Sequence, residues 1–144
     1  MNILAVPAHP DDEIFGCGAT FRRLADQGHP IVICILSGDA DARYVRPELP
    51  QLHELAAKCA RMVGVADSRR HGFKNIRLNA VPHLELVKAV EESIVEFESE
   101  WGFTHHPGDL NVDHRICREA TMSAVDATRS PDIRAFSPHP WPKK

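Results

Sequence analysis

The residues best suited to chemistry in this sequence form the segment Ala8-His9-Pro10-Asp11-Asp12-Glu13, which follows the apolar run 3–6. Asp11 and Asp12 are adjacent, so their like charges repel unless a cation or hydrogen bonds compensate them. Imidazole and carboxylate ligands together suit zinc and similar first-row metals, and three protein ligands with one open position are typical of a catalytic zinc. His9 and Asp12 supply two such ligands, so the segment predicts part of a metal site.

A second segment of similar residue types offers candidates for the third ligand. Residues 105–114 hold three of the nine histidines of the chain, together with Asp109, Asn111 and Asp113. Helix capping is an alternative interpretation of the first segment, because an aspartate before a helix and a proline in its first turn are common at helix starts. Capping explains neither His9 nor the second segment.

The hydrophobic pattern predicts the elements that position these residues. Apolar runs without alternation at 2–6 and 30–37 predict strands buried on both faces of a sheet. Weaker strands are predicted at 68–72 and 101–104, and helices at 12–27, 49–63, 87–97 and from about 113 onward. Gly28 and Gly64 lie where C-terminal helix caps belong. This alternation predicts an α/β fold with a Rossmann-like, doubly wound, mostly parallel sheet and helices on both faces.

In such sheets ligands bind at the carboxyl ends of the strands. The segments 9–12 and 105–114 each follow a predicted strand, so we expect them to meet at one edge of the sheet. The loop 38–46, which contains Arg43, follows the second strand, and the connection containing Arg77 follows the third. We therefore predict that both loops border the site.

Composition excludes several classes of protein. The chain has 144 residues, 17 basic and 20 acidic, and a formal charge of −3, so no basic surface predicts binding to nucleic acid. The first apolar run is short and interrupted by Pro7, which predicts neither a signal peptide nor a membrane span. Four cysteines without a CxxC pair are typical of buried thiols in a reducing compartment. We expect a cytoplasmic protein, and nothing in the composition opposes a homo-oligomer.

The two segments together closely resemble the PIG-L/LmbE-like family of zinc-dependent N-deacetylases, over residues 1 to 130. The resemblance implies Zn²⁺ as cofactor, with His9, Asp12 and His114 as metal ligands. It implies Asp11 as the general base, and Asp113 matches the acidic residue that precedes the last ligand. Zinc would then activate a bound water for attack on the amide of a small N-acetylated substrate such as an N-acetylglucosamine derivative.

The sequence departs from the family pattern in two places. Several members have a histidine three residues before the last ligand, where this chain has Asn111; an amide can donate to an oxyanion but cannot transfer a proton, so Asp11, His105 or His106 would have to do so. Members usually continue beyond the part resembling residues 132–136. We predict a deacetylase domain over 1–136, lacking the C-terminal part of the family domain, and an irregular Pro-rich tail over 137–144.

Two further functions compete with a zinc deacetylase. A shortened member that binds a metal or ligand without catalysis is one, since the missing segment walls the substrate pocket in the family. A magnesium-dependent phosphoesterase is the other, and it is disfavoured because magnesium prefers oxygen ligands. For the deacetylase we predict Asp11, Asp113 and Asn111 as catalytic residues and Arg43, Arg77 and His106 as substrate contacts.

Overall fold

A computed structural model describes residues 1–38, 49–128 and 132–136. The described strands form one sheet of five parallel strands in the order β3-β2-β1-β4-β5. The strands are β1 (Ile3–Val6), β2 (Ile31–Ile35), β3 (Asp67–Arg70), β4 (Trp101–His105) and β5 (Asp132–Phe136). The helices are α1 (Asp12–Asp26), α2 (Leu49–Met62), α3 (His83–Glu96) and α4 (Val112–Thr128), and a 3₁₀ helix spans Leu78–Ala80.

The central strands are apolar at every position because both of their faces are covered. Every residue of β1 and β2 is buried. Side chains alternate between the two faces, so Leu4 and Val32 join a core with α3 and α4, whereas Ile3 and Ile33 join a core with α1 and α2. This arrangement confirms the predicted doubly wound α/β fold with helices on both faces.

The C-terminal ends of α1 and α2 are followed by the two glycines that the sequence predicted as helix caps. Gly28 and Gly64 have φ angles of +83° and +80°, a left-handed conformation that glycine adopts without a steric penalty, directly after α1 and α2. Other boundaries differ from the prediction. Helix α3 begins at His83, four residues early, and β3 ends at Arg70, two residues early. β3 has the polar sequence Asp-Ser-Arg-Arg, which carries little strand pattern.

The strand order changes direction beside β1. From β1 the chain proceeds outward through β2 and β3, and then crosses back so that β4 lies against the other edge of β1. The loops after β1 and β4 therefore meet at the carboxyl edge of the sheet, which is where such folds bind ligands. Within the described ranges, no helix is long and apolar enough to cross a lipid bilayer.

Candidate metal centre

The segment after β1 is shaped by local hydrogen bonds from its own acidic residues. The His9 N–H donates to Asp12 Oδ2 at 2.9 Å, and the Asp11 N–H donates to Glu13 Oε2 at 3.2 Å. The Asp11 side chain makes no capping bond to α1, although Asp11 occupies the N-cap position. A side-chain cap by Asp11 is therefore wrong, whereas Asp12 and Glu13 do lie in the first turn of α1. Asp12 is 8% exposed and Glu13 is 2% exposed, so these two carboxylates face inward.

Donor atoms of three side chains from the two predicted segments converge at this edge. His9 Nδ1 lies 3.2 Å from His114 Nε2 and 3.4 Å from Asp12 Oδ2, and His114 Nε2 lies 3.3 Å from Asp12 Oδ1. These three residues form a group able to hold a metal ion. The loop after β1 supplies His9 and Asp12, and the first turn of α4 supplies His114.

The outer nitrogen of each imidazole faces a second carboxylate. His9 Nε2 lies 3.2 Å from Asp113 Oδ2, and His114 Nδ1 lies 3.0 Å from Asp109 Oδ2. When each ring is neutral and donates its proton to that carboxylate, the other nitrogen keeps its lone pair. Both lone pairs then point into the group. This carboxylate–histidine pairing is the usual support of metal-binding histidines.

The spacing of the donor atoms fits a tetrahedral ion. Ligands bound to zinc at about 2.0–2.1 Å in a tetrahedron lie about 3.3–3.4 Å apart. The distances between donor atoms, 3.2, 3.3 and 3.4 Å, are close to that value, with Asp12 approaching His9 through Oδ2 and His114 through Oδ1. Two imidazoles and one carboxylate also form a donor set that suits zinc better than magnesium. The residues therefore fit the metal that the resemblance implies.

The charges of the group favour a bound cation. Burial opposes a charged His9, but the hydrogen bonds and negative charges of Asp113 and Asp12 outweigh burial and raise the pKa of His9 to about 9. Burial opposes a charged Asp12 as well, yet the hydrogen bonds of His114 and His9 hold its pKa well below the usual range. Without a metal, a proton therefore supplies the positive charge that the group attracts, and metal binding must displace it.

His105 and Asp109 occupy supporting positions beside the group. His105 is fully buried and its Nε2 accepts the Ala8 N–H at 2.8 Å, which fixes the backbone next to His9. Burial lowers the pKa of His105 to about 3, so the ring is neutral, and it stacks on His114 at 4.0 Å between ring centroids. His105, Asp109 and His114 also form a possible metal group. Their bonds to Ala8 and to each other make support of the first group the better interpretation.

The other residues predicted to act in catalysis or substrate binding differ in their exposure to solvent. Asp11 is exposed at the edge of the group, whereas Asp113 is completely buried. Asn111 caps α4, because its Oδ1 accepts the Asp113 N–H at 2.9 Å. His106 is exposed, and its Nδ1 accepts the Gly108 N–H at 3.0 Å.

Of the two arginines predicted to contact substrate, the structure describes only Arg77. Arg77 is exposed and immediately precedes the 3₁₀ helix that follows β3. Arg43 lies outside the described residues, as do the tail 137–144 and all but Gly38 of the predicted loop 38–46. The substrate contacts of Arg77 and Arg43 stay predictions.

Sequence reasoning did not assign a role to Asp109 or Glu13. Asp109 orients His114. Its position five residues before this candidate ligand, in the same segment, could have indicated that role. Glu13 accepts the Asp11 N–H, and burial together with the charges of Asp12 and Asp11 raises its pKa to about 7. The position of Glu13 in the first segment could have indicated a role, although a glutamate in the first turn of a helix is usually exposed.

Curated proteins of similar sequence include several deacetylases. An uncharacterized deacetylase of Escherichia coli, YaiS, is 30% identical over 97% of this chain and 76% of its own length. The 1D-myo-inositol 2-acetamido-2-deoxy-alpha-D-glucopyranoside deacetylase of Salinispora arenicola is 29% identical over 87% of the chain and 52% of its own length. A probable N-acetyl-alpha-D-glucosaminyl L-malate deacetylase of Bacillus cereus is 28% identical, over 86% and 60%. The chain thus spans between about half and three quarters of these relatives.

Solved structures share the fold. The conserved protein TT1542 from Thermus thermophilus superposes with a TM-score of 0.82 at 22% identity, over 96% of this chain and 67% of that protein. The N,N'-diacetylchitobiose deacetylase from Pyrococcus horikoshii gives a TM-score of 0.66 at 23% identity, over 87% and 49%. The sequence model of the GlcNAc-PI de-N-acetylase family, PIG-L, matches residues 4–125. Because this match covers both metal-site segments and most of the sheet, the chain belongs to the PIG-L family.

Proposed function

We propose that this chain is a zinc-dependent deacetylase that removes the acetyl group from a small N-acetylated sugar or a related amide. The observation that carries the proposal is the convergence of His9, Asp12 and His114 at spacings that fit a tetrahedral metal. The names of the relatives from Salinispora arenicola and Bacillus cereus, which are deacetylases of acetylated glucosamine derivatives, support the substrate class.

His9, Asp12 and His114 would hold the metal at the carboxyl edge of β1 and β4. When bound by these residues, zinc would supply Lewis-acid polarisation of the acetyl carbonyl and would lower the pKa of a water at the open position. Asp113 and Asp109 keep His9 and His114 in the tautomers that present a lone pair to the ion. The stacked, neutral ring of His105 covers the inner side of His114.

Asp11 is the proposed general base. It adjoins the ligand Asp12 in sequence, and it is exposed where that ligand is buried. In the proposed reaction its carboxylate accepts a proton from the water that attacks the carbonyl carbon. It then returns the proton to the amine nitrogen as the C–N bond breaks, so the products are acetate and a free amine.

Asn111 and three further predicted side chains complete the proposal. With Asn111 Oδ1 engaged by the Asp113 N–H, its amide NH₂ group is the part that would donate to the developing oxyanion. Arg77, Arg43 and His106 would contact the sugar hydroxyls or an anionic substituent. We also propose a cytoplasmic enzyme, since its cysteines are free thiols: Cys17, Cys34 and Cys117 are buried as predicted, whereas Cys59 is exposed.

The test combines metal analysis with a substrate panel. The purified chain should contain about one zinc ion per molecule after reconstitution, and it should release amine from at least one N-acetylated glucosamine derivative. His114→Ala should lose both the metal and the activity. His83→Ala is the matched control, because His83 is exposed at the start of α3 and should leave the metal content unchanged.

Two results would contradict the proposal. Stoichiometric zinc that survives His114→Ala would exclude the ligand set. Full zinc occupancy without hydrolysis of any acetylated amine would favour the non-catalytic, metal-binding alternative.

A further inference from the structure

Asp113 connects the metal group to a loop on another part of the sheet. Its carboxylate is completely buried and makes three contacts. Oδ2 lies 3.2 Å from His9 Nε2 and accepts the Ile76 N–H at 2.7 Å, and Oδ1 accepts the Leu78 N–H at 3.1 Å. We call these three contacts the Asp113 clamp. One side chain on α4 thereby joins the loop after β1 to the loop after β3.

The loop after β3 has a conformation that its sequence disfavours. Ile76 has a φ angle of +55°, in the left-handed region where a β-branched side chain is sterically opposed. Such a conformation persists only where the surroundings impose it. Here the Ile76 N–H is held at 2.7 Å by Asp113, and the side chain of Leu78 is fully buried in the core. The clamp and the burial of Leu78 fix both ends of this short turn.

Arg77 lies between the two clamped residues. Its side chain is exposed, and its backbone is held on one side by the Ile76 N–H and on the other by the Leu78 N–H. The Arg77 N–H also donates to the Lys74 carbonyl at 3.2 Å, within the same turn. The backbone position of Arg77, and so the region that its guanidinium can reach, depends on where Asp113 holds the turn.

We propose that Asp113 is a positioning residue that couples metal binding at His9 to the conformation of residues 76–78, and so to the placement of Arg77. The inference rests on the metal binding of the proposed function. A metal on His9 Nδ1 would displace the proton there and fix the orientation of the ring, so that the Nε2–H stays directed at Asp113 Oδ2. A carboxylate held in this way keeps its two amide contacts. By reciprocity, a turn that holds Asp113 in place also raises the metal affinity of His9.

Hydrogen exchange of the backbone amides tests this coupling directly. The exchange rates of the Ile76 and Leu78 amides are measured with and without saturating zinc in the wild type, in Asp113→Asn and in Asp109→Asn. Asp109→Asn is the matched control, because the Asp109 carboxylate lies against His114 Nδ1 and accepts the Asn111 N–H, and so supports the other histidine of the group. Zinc dissociation constants come from competition with a chelator in the same samples.

The expected pattern separates coupling from simple ligand support. Both variants should bind zinc about 10- to 100-fold more weakly than the wild type, the usual effect of losing such a partner. Zinc should slow exchange at Ile76 and Leu78 at least tenfold in the wild type and in Asp109→Asn. In Asp113→Asn, saturating zinc should leave exchange at both amides unchanged.

Several results would overturn the inference. Exchange at these amides that does not respond to bound zinc in the wild type would do so, and so would a full response in Asp113→Asn. If Asp113→Asn does not fold by circular dichroism, the wild type and Asp109→Asn still decide, because both must show the response. A chain that binds no zinc would overturn both this inference and the proposed function. Zinc-dependent protection without deacetylation would support the coupling and reject the proposed reaction.

Discussion

Replacing Asp11 with asparagine separates the role of a base from the role of a structural residue. The substitution preserves the volume of the side chain and removes its ability to accept a proton. Because Asp11 is exposed and its side chain does not cap α1, the free energy of unfolding should change by no more than about 0.5 kcal/mol. Asp11 is also outside the group of converging donor atoms, so the zinc content should stay the same.

The rate should fall far more than the stability. A positioned general base contributes about 10²- to 10⁴-fold, which corresponds to roughly 2.7–5.4 kcal/mol of activation free energy. The assay is release of free amine from an N-acetylated glucosamine derivative, with wild type and variant at equal zinc occupancy. Asp26→Asn is the control, because Asp26 is an exposed aspartate at the other end of α1 that pairs with Arg22. Its rate should equal that of the wild type.

Two outcomes would refute this reasoning in different ways. If Asp11→Asn deacetylates as fast as the wild type, Asp11 takes no part in proton transfer and another residue must. If the variant loses zinc, Asp11 supports the metal directly, and the loss of rate cannot be assigned to a missing base. Only a loss of rate at unchanged zinc content and unchanged stability agrees with the proposed role.

Three further predictions concern stability. Phe21→Ala should destabilise the chain by about 3–5 kcal/mol in denaturant unfolding, because Phe21 is fully buried and packs edge-to-face on Phe103 at 5.7 Å; a loss below about 1 kcal/mol would contradict this. Glu98→Gly should stabilise by roughly 0.5–1 kcal/mol, since exposed Glu98 has a φ angle of +48°, and a lower melting temperature would refute the strain. In the metal-free chain, the raised pKa of His9 adds stability that is fully present below pH 6.5. It should decline as the pH rises to about 9, by about 3 kcal/mol in all, and unfolding free energies of wild type and His9→Gln across this range should converge at high pH.

The sequence was sufficient to predict the general position of the site. Two clusters of histidine and aspartate each follow an apolar strand, and parallel strands bring such loops to the same edge. The structure places His9, Asp12 and His114 together as that argument requires. The apolar runs of β1 and β2 also identify central strands, because burial on both faces leaves no polar position.

The supporting residues could not be predicted in the same way. Which nitrogen of His9 faces Asp113 depends on distances across two loops, which no local pattern encodes. The left-handed Ile76 is an extreme case, since its residue type opposes the conformation and the carboxylate that holds it lies 37 residues away. Likewise, Glu13 has the sequence position of an exposed helix-start residue, yet in the fold it is only 2% exposed.

The order of strands in the sheet also bears on how this family can diversify. The proposed ligands follow the ends of β1 and β4, and each of these strands is paired on both sides, so a shift of either would break two ladders of hydrogen bonds. Outside the turn 76–78 that Asp113 holds, insertions and exchanges are tolerated better at the ends of β3 and β5, which are the edge strands of the sheet. Over evolutionary time, changes in these loops can alter which substrate fits while the backbone that carries the proposed ligands His9, Asp12 and His114 stays in place.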